Sequence, residues 1–150
     1  IAEAITRNGI IGLKDSSGDM NLFHGLLRVR GDRDLSFFIG SETLLGEAVL
    51  FGAQGGVCGG ANVSPALFVR MYRAAVEKKL DEVVALQQEL QRFSAIYGHG
   101  RHASSGIKGI KCALSLLGIC GDEMAPPFEA FAAPEREQVK RDLVSLGLLR

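Results

Sequence analysis

The sequence predicts a parallel α/β fold built from repeated βα units and followed by a helical appendix. Three features point there. Short, mainly apolar runs alternate with stretches of helical spacing through residues 10–75, as in strands covered on both faces. Beyond residue 75 only helical spacing remains. Strands of that kind joined through helices imply parallel neighbours, because a parallel pair needs a long crossover connection.

The first nine residues, I-A-E-A-I-T-R-N-G, have the pattern of the last turns of a helix stopped by Asn8-Gly9. The chain opens on Ile1 rather than Met, and a domain rarely begins at the end of an element, so the sequence is expected to be the later part of a longer chain. Ile10–Leu13 is a β-branched, apolar run that predicts the first strand. After the D-S-S-G turn, Leu22, Phe23, Leu26, Leu27 and Val29 follow at helical spacing. Leu35–Ile39 predicts a second strand, closed by Gly40-Ser41, and Leu44, Leu45, Ala48, Val49 and Phe51 a second helix. Gly55–Cys58 is a short, glycine-rich third strand. Ser64 as N-cap and Pro65 at the first helical position then start a helix carrying Leu67, Phe68, Met71 and Tyr72.

The appendix begins near Val76. A helical hairpin or pair is predicted through Tyr97, with Val83, Val84, Leu86, Leu90 and Phe93 on its apolar side. Ile107–Leu117 is a further helix ended by Gly118, the A-P-P-F stretch from Ala125 a rigid connector, and Pro134–Leu146 a last helix ended by Gly147. The division expected is therefore residues 1–75 for the βα units and 76–150 for the helical extension. Three parallel strands cannot close a barrel, and their unpaired edges are a liability for a chain that stands alone.

Bulk properties exclude several function classes. Lys plus Arg and Asp plus Glu each number 17, so the formal charge is zero, and no basic stripe marks a nucleic-acid or anionic-membrane partner. No run reaches the ~18 apolar residues of a transmembrane helix, and no signal-peptide layout is present. Cys58, Cys112 and Cys120 form no CxxC pair and no metal-ligand spacing with His24, His99 or His102, which suits reduced thiols with structural roles in a cytoplasmic protein. His99 and His102, in Y-G-H-G-R-H, lack a third ligand and are expected to be exposed loop or subunit-contact residues.

The chemistry concentrates at the strand ends. In parallel βα folds the carboxyl ends of the strands carry function, and Lys14, the Gly40-Ser41-Glu42 segment and the Val57-Cys58-Gly59-Gly60 segment all fall there. On position alone Lys14 is equally a surface amine whose stem lies along apolar surface, Asp15 a turn residue and Ser16 or Ser17 a helix N-cap. Gly40 fits a plain turn, Val57 ordinary packing, and Glu42 a carboxylate placed to suit a helix dipole.

Taken together, G-L-K-D-S-S-G-D from Gly12, G-S-E from Gly40, F-G-A-Q-G-G-V-C from Phe51, A-N-V-S-P from Ala61, G-I-K-G-I-K-C-A-L-S-L-L-G from Gly106 and M-A-P-P from Met124 resemble the second half of the pyruvate-dependent class I aldolases of the dihydrodipicolinate synthase and N-acetylneuraminate lyase family. The resemblance runs over most of the chain and implies a (β/α)8 TIM barrel with a C-terminal helical extension, of which these residues are the sixth to eighth βα units and that extension. It implies that Lys14 forms an imine with pyruvate or another 2-oxo acid, an attack that requires a neutral amine and is favoured by desolvation at the mouth of a strand. By the same carry-over Gly40 lies where backbone approaches substrate, Val57 lies beside the bound oxo acid and offers its carbonyl, and Glu42 falls where sugar-cleaving relatives contact substrate hydroxyls. Gly59 stands where sialic-acid lyases carry a hydroxyl, so a nine-carbon sugar loses one contact.

The tyrosine relay and carboxylate-binding threonines of the family belong to the first half of the barrel, and neither Tyr72 nor Tyr97 matches them. The implied activity is condensation of pyruvate with an aldehyde in the manner of dihydrodipicolinate synthase. Cleavage of a 2-keto-3-deoxy-sugar acid or of N-acetylneuraminate comes next, and a catalytically silent 2-oxo acid binder is the non-enzymatic alternative. The implied partners are a small 2-oxo acid and an aldehyde, in a homo-dimer or homo-tetramer. No metal or organic cofactor is implied, since the lysine imine is itself the electron sink.

Overall fold

The computed structural model describes Glu3 and residues 9–150. The helix expected over residues 1–8 lies, Glu3 apart, outside the described residues. Within them the order is β1 (Gly12–Asp15), α1 (Met20–Arg30), β2 (Ser36–Ile39), a 3-10 turn (Glu42–Leu44), α2 (Leu45–Leu50), β3 (Gly55–Gly56), a 3-10 turn (Gly59–Asn62), α3 (Pro65–Val76), α4 (Leu80–Phe93), a 3-10 turn (Ser94–Tyr97), α5 (Ser105–Leu116) and α6 (Ala133–Ser145). Compactness divides the chain into two units, the first made of residues 1–58 and 66–87, the second of 59–65 and 88–150. The line drawn at residue 75 follows the change in secondary structure, whereas the compact units divide within α4 and give the Gly59–Pro65 loop to the second unit.

The first unit holds a three-stranded sheet in the order β1-β2-β3, parallel throughout. The register sets Lys14 opposite Phe38 and Asp15 opposite Ile39, and Ile39 in turn opposite Gly56. Parallel pairing is what the βα repetition predicts, since each strand is led back to its neighbour's starting end by a helix. The central strand alternates as a sheet with both neighbours in place should, with Phe37 and Ile39 fully buried. The first strand differs from expectation. It starts two residues later than the apolar run, and Ile10 and Ile11 are exposed, Ile11 at 83%. The reason is positional: among the described strands β1 has one neighbour, so apolar residues at its start have nothing to cover them.

The turn after β1 also departs from the sequence reading. Neither Ser16 nor Ser17 caps α1; Asp19 does, accepting from the backbone N–H of Asn21 at 2.8 Å and of Leu22 at 3.3 Å. Ser17 is used one step earlier, its Oγ accepting from the Asp19 N–H at 3.1 Å. The helix ends on Arg28 and Arg30, favourable at the negative end of the dipole, and Arg30 reaches Gly52 O and Gln54 Oε1, each at 3.1 Å. Around the sheet, Phe23, Leu45, Ala48, Leu67, Phe68, Met71 and Leu86 are buried, the faces that helical spacing marked as apolar.

The second unit is helical. Phe93, Ile96, Cys112, Ala113, Val139 and Leu143 form its core. Gly109 of α5 sits directly on the Ser94–Tyr97 turn, where an added Cβ would collide with the Ile96 carbonyl oxygen and lie 3.0 Å from its carbon. Two polar links tie α6 down: Arg136 donates to Asp122 Oδ2 at 2.5 Å and to Ser115 Oγ at 3.1 Å, and His99 Nε2 meets Asp142 Oδ2 at 2.5 Å. His99 lies in a loop, but its side chain is largely covered and bound to α6 rather than exposed as expected, because Asp142 draws the ring in; His102 is exposed. No helix among the described residues is long and apolar enough to cross a membrane.

Candidate functional site

The carboxyl ends of β1 and β2 build a small, well-tied corner in the first unit. Asp15, 8% exposed, turns its carboxylate back on the loop, accepting from the Ser17 N–H at 2.9 Å and the Ser17 hydroxyl at 3.1 Å. Its carbonyl accepts from the Gly40 N–H at 2.6 Å, so the loop after β1 is pinned to the residue after β2. Burial of this carboxyl group is tolerated because local donors meet it, and they tie the loop back on itself.

Lys14 lies immediately before this anchor and on the opposite side of the strand, exposed where Asp15 is buried. Its stem crosses Gly40. A Cβ added to Gly40 would fall 2.6 Å from Lys14 Cε, closer still to Ser16 Oγ, and 3.0 Å from Ser16 Cβ. Any residue with a side chain at position 40 therefore displaces the lysine, the serine or both. The missing Cβ is what Gly40 supplies. The desolvated strand mouth expected around the amine is not furnished by these residues alone, because three strands make a wall rather than an enclosure.

Cys58 reports who else is near. Its thiol is pushed up to about 12, first by burial, then by the negative charge of Glu42, with the positive charge of Lys14 acting the other way. Glu42, in the 3-10 turn, and Lys14 thus both act on the thiol that follows Val57. Val57 itself is 53% exposed and tied through its N–H to the Ile39 carbonyl at 2.8 Å. Sequence reasoning named Lys14, Gly40, Glu42 and Val57. It missed Ser16 as a neighbour of the amine and set Cys58 aside as structural. Ser16 lies just past the end of β1, so the strand's period could not place it; its approach to Gly40 depends on the path of the loop.

A second feature belongs to the helical unit. Arg101, His102, Lys108, Glu129, Phe131 and Glu135 line a cavity of about 250 Å3. It carries cations and carboxylates together and so favours no one ligand class.

Lys14 thus stands near the carboxyl-terminal end of β1, its stem beside Gly40, the residue that follows β2. The model of the dihydrodipicolinate synthetase family matches residues 1–146. The chain belongs to that family. A DapA-like lyase of Pyrobaculum islandicum, itself uncharacterised, is 31% identical over 147 residues, 93% of this chain and 48% of that protein. The 4-hydroxy-tetrahydrodipicolinate synthase of Ruthia magnifica is 27% identical over 142 residues, 95% of this chain and 46% of its own length. Among solved structures, the dihydrodipicolinate synthase of Bacteroides thetaiotaomicron superposes with a TM-score of 0.88 at 44% identity, covering 93% of this chain and 47% of that one. The chain thus spans about half the length of the curated relatives it matches. Its three parallel strands and helices are consistent with part of a family TIM barrel.

Proposed function

We propose that this chain carries the imine-forming lysine of a Schiff-base aldolase or lyase acting on pyruvate or a related 2-oxo acid. One observation carries the reading: the Lys14 stem is laid across the Gly40 backbone at the carboxyl end of adjacent parallel strands, beside a loop locked by Asp15. Family membership and the 44% identity to a dihydrodipicolinate synthase support pyruvate plus an aldehyde as the substrate pair. The three strands would be the sixth to eighth of a (β/α)8 barrel, in a cytoplasmic homo-dimer or homo-tetramer. A 2-keto-3-deoxy-sugar-acid aldolase is the second reading, favoured by the Glu42 carboxylate, which acts on the same thiol as Lys14 and would suit substrate hydroxyls.

In this mechanism the neutral Lys14 Nζ attacks the ketone carbon of the oxo acid. The N–C bond forms, the carbonyl oxygen leaves as water with one proton from the amine and one from solution, and a positively charged iminium results. The iminium draws electrons from the adjacent carbon, which loses a proton and becomes a nucleophilic enamine. That carbon bonds to the aldehyde carbon, the aldehyde oxygen takes up a proton, and water releases the product and restores the amine. Cleavage is the same path reversed. No metal or organic cofactor enters the scheme, because the iminium accepts the electron pair.

The test is trapping by sodium borohydride in the presence of pyruvate, read by mass, on the complete protein. Wild type should gain the mass of a reduced pyruvyl adduct on the peptide holding Lys14. Lys14→Ala should gain none and lose turnover by many orders of magnitude, beyond the roughly 10²–10⁴-fold of a lost general acid or base. Lys14→Arg should be no rescue, since a guanidinium stays protonated. Near wild-type turnover in Lys14→Arg would leave Lys14 as an electrostatic residue and end the imine assignment.

A further inference from the structure

The turn that carries Glu42 is tethered by a side chain that the reaction scheme leaves unused. Gln87, in α4, donates from Nε2 to the Thr43 carbonyl oxygen at 2.6 Å, across 44 positions of sequence and within the first unit. We infer that Gln87 is a positioning residue for substrate selection: by holding the Thr43 carbonyl it fixes where the Glu42 carboxylate stands, and so favours a substrate that carries hydroxyls beyond its oxo-acid end. This rests on the second reading above, in which Glu42 meets substrate hydroxyls.

The turn needs such a tether. It is a single 3-10 turn, Glu42–Leu44, closed by the Leu44 N–H on the Ser41 carbonyl at 3.0 Å, and the Ser41 side chain does not cap it. Turns of this kind bond less well than an α-helix does. On one side the segment is fixed by the Gly40 N–H, bonded to the Asp15 carbonyl at 2.6 Å, and on the other by Gln87. Glu42 lies between these two points, so its backbone is set by both. The Gln87 end is firm because α4 is packed: Val83, one turn earlier on the same face, and Leu86 are buried, and Gln87 itself is half-buried. An amide suits the place, since it donates to a carbonyl without bringing a second charge beside Glu42. The Cys58 thiol, raised first by burial, is raised further by Glu42 and lowered by Lys14, so the tethered carboxylate and the amine act at one end of the sheet. Gln87 neither forms nor breaks a bond in the reaction and takes no part in its proton balance.

The test compares the complete protein as wild type, Gln87→Met, which keeps the side chain's length without its donor, Glu42→Gln and the double variant, with thermal midpoints alongside. Cleavage of 2-keto-3-deoxygluconate gives kcat and KM, and borohydride trapping with pyruvate reports the imine step alone. Gln87→Met should raise KM for the sugar acid about tenfold, the scale of one hydrogen bond left unmade at a partly buried carbonyl, and slow pyruvate trapping by less than about twofold. In the Glu42→Gln background the same change should cost no more than about twofold, because Gln87 acts through that carboxylate. Gln87→Ala, which lacks the donor and the bulk, should show the same pattern and takes the place of the methionine variant if that one does not fold. An unchanged KM in Gln87→Met, equal losses for sugar acid and pyruvate, or the full tenfold in the Glu42→Gln background overturns the inference while the reading of Glu42 stands. An unchanged KM in Glu42→Gln, or trapping without cleavage in wild type, overturns that reading and the inference with it. Absence of trapping in wild type overturns the imine reading as well.

Discussion

Gly40 and Gly109 look alike in the sequence and do opposite things in the fold. Gly40 gives its missing Cβ to two side chains, Lys14 and Ser16, whose ends can move. Gly109 gives its own to a backbone carbonyl, that of Ile96, which cannot move without the turn that carries it. The first makes room for chemistry and the second for packing. The two compact units differ in the same way: one gathers polar and charged groups at the ends of strands, the other uses polar links, Arg136 to Asp122 and His99 to Asp142, to hold helices together.

Substituting alanine at each glycine sharpens the contrast. Gly40→Ala should cut turnover of the complete protein by about 10²-fold, the scale at which a displacement of about 1 Å misplaces a reacting group. Its cost in stability should stay near 1 kcal/mol, since the methyl displaces flexible side chains rather than backbone. Gly109→Ala should do the reverse. A methyl against the Ile96 carbonyl is overpacking with no soft neighbour to yield, so a loss of about 2–3 kcal/mol and a lower thermal midpoint are expected, with turnover per folded molecule unchanged. Denaturant melts and steady-state rates on both variants decide the matter. If Gly40→Ala melts early with full specific activity, the corner at the strand ends is structural and the contrast collapses.

The smallest effect concerns the thiols. Cys58 is pushed up to about 12, so between pH 7 and 9 it stays protonated and is a poor nucleophile. Cys112 is buried and raised as well, while Cys120 is exposed. Iodoacetamide at pH 8 followed by peptide mapping should label Cys120 first and Cys58 and Cys112 slowly. Labelling of Cys58 should rise as pH climbs toward 12, and removing the Glu42 charge, as in Glu42→Gln, should quicken it, because that carboxylate opposes the thiolate. Unchanged labelling in that variant would separate Glu42 from the Lys14 corner.

Much of this was determined by the sequence. Apolar runs broken by helical spacing are enough to specify βα units, because a strand covered on both faces has no polar alternation to show, and the three parallel strands and the helices after them follow. Lys14 and Gly40 could be placed at neighbouring strand ends for the same reason, one residue at the end of its run and the other just after its own. What tertiary structure alone decided is which side chains meet there. By sequence Asp15 fits a turn residue, and only its burial against the Ser17 donors makes it the anchor of the loop. Asp19, not a serine, caps α1 because the first turn starts at Met20 and so leaves Asp19 at the capping position. Cys58 came out as part of the site through its coupling to Glu42 and Lys14, residues 16 and 44 positions away along the chain. Local spacing fixes periods and ends of elements, since these depend on neighbours within a few residues. Contacts across strands depend on register and on where the loop folds back, and that information is held by the whole first unit at once rather than by any stretch of it.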